Sequence, residues 1–154
     1  APFTFAEAYA PAPTIDRMRA GTPPVLSLAG LDSALDIFAE VDLAEIRRKA
    51  DRLFDIFVSN VEAGCPELTL LSPRDPARRG TQASFAFHDA YAAMQALIAR
   101  GVIGDFRTPD IMRFGFTPLY LSHEDAWNAA RILREVMSGR AWDNPAYRER
   151  AKVV

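Results

Sequence analysis

The chain has 154 residues, 49% of them apolar and 25% charged, and 18 Lys plus Arg against 20 Asp plus Glu leave a net charge of -2. That is enough chain for one domain with its own core, and too apolar for a disordered segment. The charge balance offers no basic excess for nucleic acid, no apolar run reaches the roughly 18 residues of a membrane span, and the one cysteine, Cys65, has no partner for an internal disulfide.

Residues 1–26 read as an extended Pro-rich arm. Pro2, Pro11, Pro13, Pro23 and Pro24 fix φ and remove backbone donors, while Phe3, Phe5, Tyr9 and Met18 point to an arm lying on another surface. From Ser27 to about Glu40, Leu28, Leu31, Ala34, Leu35 and Phe38 recur at helical spacing. A second helix runs from Leu43 to Glu62, with Ile46, Ala50, Leu53, Phe54, Phe57 and Val61 inward and Arg47, Arg48, Lys49 and Asp51 on the wet face. Gly64 and Pro66 end it. Strands Leu68–Leu71 and Gln82–Phe87 flank a polar loop, Ser72–Gly80, and a helix from Ala90 to Arg100 stops at Gly101. Two more strands, Val102–Phe106 and Ile111–Phe116, surround the turn at 107–110. The last long helix starts at a Ser122–Asp125 capping pair and ends at Gly139, with one more short helix within 141–151. Residues 27–154 thus form a single α+β domain, a small antiparallel sheet with helices packed on one side.

No G-x-S-x-G elbow, P-loop or G-x-G-x-x-G motif occurs. Two histidines are too few for a metal site; His88 reads as a helix-start residue and His123 as a first-turn surface residue. Cys65, between Gly64 and Pro66, reads as a buried filler, and Trp127 and Trp142 as core and tail packing. Arg78, Arg79 and Gly80 form a basic loop, read as a solvated charge run. Two residues remain as binding candidates. The period of a strand puts Met112, Phe114 and Phe116 on one face and Arg113, Gly115 and Thr117 on the other. Arg113 then stands beside a glycine that blocks nothing, and a guanidinium binds a carboxylate through two parallel charge-assisted bonds. The same spacing fits a surface arginine paired with a local acid. Thr22, in Gly21-Thr22-Pro23-Pro24 ahead of a helix, fits either a phosphate contact or plain helix punctuation.

Four blocks, in order, carry a resemblance: Arg19 to Leu28; Ser72-Pro73-Arg74-Asp75 with Arg79-Gly80-Thr81-Gln82; Gly101 to Arg107; and Met112-Arg113-Phe114-Gly115-Phe116-Thr117-Pro118-Leu119-Tyr120. Together they resemble the C-terminal part of bacterial kynureninases, homodimeric pyridoxal-phosphate enzymes of the aspartate-aminotransferase fold. The resemblance implies hydrolysis of kynurenine or 3-hydroxykynurenine to anthranilate or 3-hydroxyanthranilate plus alanine, a step in tryptophan catabolism and NAD biosynthesis, in the cytoplasm. It implies that Arg113 clamps the small-molecule substrate's α-carboxylate and that Thr22 reaches the cofactor phosphate across the dimer. It also implies that the arm crosses from an upstream cofactor-binding large domain. The lysine that anchors the cofactor belongs to that upstream domain. The two lysines here, Lys49 on a charged helix face and Lys152 in the tail, do not replace it. The chain alone is therefore expected to be inactive and not to retain the cofactor, and its start at Ala1-Pro2-Phe3 without a methionine suggests part of a longer polypeptide. A stand-alone, non-catalytic domain of the same fold, binding a partner or a carboxylate, is the alternative. A cysteine desulfurase domain fits less well, because Cys65 directly follows a helix rather than riding a loop.

Overall fold

The structure, a computed structural model, describes residues 8, 10–18 and 21–149. Contacts gather the chain into two units, Ala1–Asp42 and Leu43–Val154. In the first, a short 3-10 turn at Ile15–Met18 precedes α1, Val25–Ala39. The predicted helical spacing does produce the helix, yet none of its residues is buried, and Leu31 and Leu35 remain 54% and 52% exposed. The arm aromatics Phe3, Phe5 and Tyr9 lie outside the described residues.

The second unit is built on α2 (Leu43–Gly64), β1 (Thr69–Leu70), β2 (Gln82–Ala86), α3 (Ala90–Ile98), β3 (Asp105–Arg107), β4 (Ile111–Gly115) and α4 (His123–Ser138). The sheet order is β1-β2-β4-β3 with every pairing antiparallel, which bears out the α+β reading. Ala50, Leu53, Phe54, Phe57 and Val61 lie on the buried stripe of α2 at the predicted spacing, whereas Ile46 is only half-buried. Phe57 is the centre of the core: its ring lies 4.8 Å from Phe114, 5.3 Å from Phe116 and 6.3 Å from Phe85. Ala83 and Phe85 of β2 and Met112 and Phe114 of β4 turn to this side together, so the helices hold one face of the sheet.

Several ends differ from the sequence reading, each for a local reason. Strand β3 starts at Asp105, not Val102, because residues 101 and 102 close α3. Val102 N–H donates to the Leu97 carbonyl and Gly101 N–H to that of Ile98, with Gly101 left-handed at φ 84°. Helix α4 closes the same way, but its left-handed residue is Arg140 (φ 49°) rather than Gly139. Its start is as expected: the Ser122 hydroxyl accepts from Asp125 N–H at 3.1 Å while the Asp125 carboxylate accepts from Ser122 N–H at 2.7 Å. Among the described residues of the tail there is a 3-10 turn, Pro145–Tyr147. Trp142 is buried edge-on to Phe87, but Trp127 is 48% exposed and not core. On α4 the inward stripe is Ala126, Ala130, Leu133, Val136 and Met137, and position 127 is rotated about 100° away from Ala126.

Candidate functional site

On β4 the pleat drives Met112 and Phe114 into the core and turns Arg113 and Gly115 to the opposite face. The turn between β3 and β4 sets the register: Asp105 stands across from Arg113, and Arg107 across from Ile111. Asp105 and Arg107, two residues apart, share the Arg113 face. Arg113 Nε donates to Asp105 Oδ2 at 3.1 Å and Nη2 donates to the same oxygen. Arg107 Nη2 also lies 3.1 Å from that oxygen. The hydrogen bond from Arg113 is the main reason the Asp105 carboxyl titrates below the ordinary aspartate range, with the charges of Arg113 and Arg107 adding to it. Two guanidinium groups around one carboxylate leave a net positive charge for an anion.

Glycines shape the approach on both sides. A Cβ on Gly115 would have nothing within 4 Å, so the space beside Arg113 is open. Gly104 is the reverse case: its Cβ would sit 2.8 Å from the Arg113 carbonyl oxygen and 2.7 Å from Met94 Cε. Only glycine lets the chain come close enough there to bring Asp105 against Arg113. Arg113 is paired with a local acid, one of the two readings of its spacing, and still stands beside open space. Asp105 was missed in the sequence, although a hairpin counted outward from Pro109 places 105 opposite 113.

The remaining candidates fall elsewhere. Thr22 is exposed in the first unit, two residues ahead of the Pro24 that caps α1. Arg79 corrects the picture of a solvated charge run: its side chain is 3% exposed. The guanidinium reaches Asp51 at 3.0 Å and Asp55 at 3.5 Å, one turn apart on α2, and lies 3.6 Å over the Phe54 ring. Arg47 holds the same loop by donating to the Pro76 and Arg79 carbonyls. Arg78 is exposed. His88 and His123 are exposed at helix starts, as predicted. Cys65 is 1% exposed, and burial, helped by Glu67, pushes its thiol up to about 11, which makes it a filler rather than a nucleophile. Among the described residues no three His, Cys, Asp or Glu gather as a metal site, and no helix is long and apolar enough to cross a membrane.

Fold and site together define a class: an α+β domain that is helix-covered on one face of its sheet and carries a guanidinium beside open space on the other. The family model for the kynureninase C-terminal domain matches residues 46–133, more than half of the chain, and the chain belongs to that family. Kynureninases of Burkholderia mallei (strain SAVP1) and Burkholderia pseudomallei (strain K96243) are each 47% identical over 156 residues, covering 100% of this chain and 38% of their own length. The kynureninase of Pseudomonas fluorescens is 45% identical over 154 residues, covering 99% of this chain and 37% of its own. The chain thus spans little more than a third of the length of the curated relatives it matches.

Proposed function

We propose that this chain is the substrate-carboxylate-binding domain of a kynureninase, a pyridoxal-phosphate-dependent hydrolase that releases alanine from kynurenine or 3-hydroxykynurenine. The observation that carries the reading is Arg113, a half-buried guanidinium held by Asp105 beside the open space over Gly115. Its part is to bind and orient: parallel N–H donors fix the plane of the α-carboxylate and so the direction of the bonds at the adjacent carbon. Thr22, through its hydroxyl, donates to the cofactor phosphate across a homodimer interface in this reading, and the working enzyme is cytoplasmic.

The cofactor's covalent anchor does not fit the described residues. Lys49 lies on α2, which packs against the face of the sheet opposite Arg113. When bound, pyridoxal phosphate supplies an electron sink, and its lysine comes in this reading from a large domain outside this chain. In the enzyme joined to that domain, Arg113→Ala is expected to raise KM on the order of 100-fold, the loss of a charge-assisted pair. Arg113→Lys recovers part of it. An unchanged KM overturns the reading and leaves a partner-binding domain without a catalytic role.

A further inference from the structure

The way Arg113 is held says which of its edges is meant for a ligand. A guanidinium has five N–H donors on two usable edges, one formed by Nε and Nη2 and the other by Nη1 and Nη2. Asp105 takes Nε and one Nη2 proton with a single oxygen, Oδ2, and so occupies the side edge only. Nη1 makes no hydrogen bond among the described residues, and the end edge keeps two parallel donors for a second carboxylate. Asp105 is itself held, because Arg107 Nη2 lies 3.1 Å from the same oxygen, while the close backbone approach at Gly104 brings β3 against β4.

We infer that Asp105 is a positioning residue: by holding the Nε edge it points the Nη1/Nη2 edge of Arg113 at the substrate carboxylate. The inference rests on the reading of Arg113 as the carboxylate-binding residue. Without Asp105 the arginine samples its many rotamers, and binding must order it each time. Asp105 touches neither substrate nor cofactor in this scheme, so its whole effect passes through Arg113.

The test is a double-mutant cycle in the enzyme joined to its cofactor-binding domain, read as KM and kcat separately. Asp105→Ala is expected to raise KM about tenfold, the size of a lost ordering contribution, with kcat close to unchanged. Asp105→Asn, whose amide oxygen still accepts from Nε–H, restores most of the affinity. In an Arg113→Ala background, Asp105→Ala adds nothing. On the present chain, the Arg113 Nε–H resonance is expected to exchange slowly with water and to lose that protection in Asp105→Ala, a readout independent of turnover. If Arg113→Ala raises KM but Asp105→Ala does not, or if Asp105→Ala keeps its full effect without Arg113, the positioning role is overturned and the arginine's stands. If Arg113→Ala itself leaves KM unchanged, both fall.

Discussion

On β2 and β4, residues one position apart serve opposite ends. Phe85, Met112 and Phe114 are at most 4% exposed and pack beneath Phe57 or its neighbours, while Arg113 and Gly115, from the same strand as Phe114, face outward. The pleat separates them completely, so one short strand contributes to the core through one face and presents the guanidinium proposed to bind substrate on the other. Stability and the proposed binding are therefore expected to be separable by mutation even though the residues are covalent neighbours.

Four substitutions probe that division. Phe57→Ala removes the ring at the centre of the buried face and is expected to cost about 3–5 kcal/mol in denaturant unfolding; a loss below about 1 kcal/mol would mean the core is not built around it. Gly104→Ala bridges the faces. The added methyl meets the Arg113 carbonyl and Met94, so about 1–3 kcal/mol is lost, and KM in the complete enzyme rises as β3 and Asp105 move off. A rise in KM without any loss of stability would break the link between that close approach and the site. Arg113→Ala, despite its large expected effect on KM, is expected to change unfolding free energy by less than about 1 kcal/mol, since its pair is partly solvated. A large loss would make Arg113 a structural residue.

The smallest effect is the pH dependence of the Asp105 pair. Its folded carboxyl titrates below the ordinary aspartate value, so its contribution is present above about pH 4 and fades as pH falls through the lowered folded value. Asp105 is nearly half exposed, which limits that contribution to well under about 1 kcal/mol. Thermal melts of the wild type and Asp105→Asn down to about pH 2 are expected to converge at the acid end. Curves that stay parallel would show that the pair does not stabilise the fold at all.

Much of this was legible because it follows from short-range rules. The α2 stripe from Ala50 to Val61, the Ser122–Asp125 cap and the outward turn of Arg113 each depend on residues within a few positions of one another. What was missed depended on distant ones. Arg79 looks like part of a solvated basic run until α2 supplies Asp51, Asp55 and the Phe54 ring beside it, 24 or more positions away. Trp127 reads as core by its size, but the geometry of α4 against α2 selects a different stripe. Helix α1 is the plainest case: helical spacing forms the helix, but its apolar residues are spread around it rather than gathered in a stripe like that of α2, and none of it is buried.

By itself, then, the sequence determined which segments form helices and which form strands, which face of each strand is apolar, and through four ordered motif blocks the family to which the chain belongs. Periodicity and capping are local, so they survive without knowledge of any partner. Only the tertiary structure decided that Asp105 meets Arg113, that Gly104 permits it, and which edge of the guanidinium stays free. Those facts depend on hairpin register and on the close packing of α3 against β3 and β4, where a displacement of an ångström changes which groups touch.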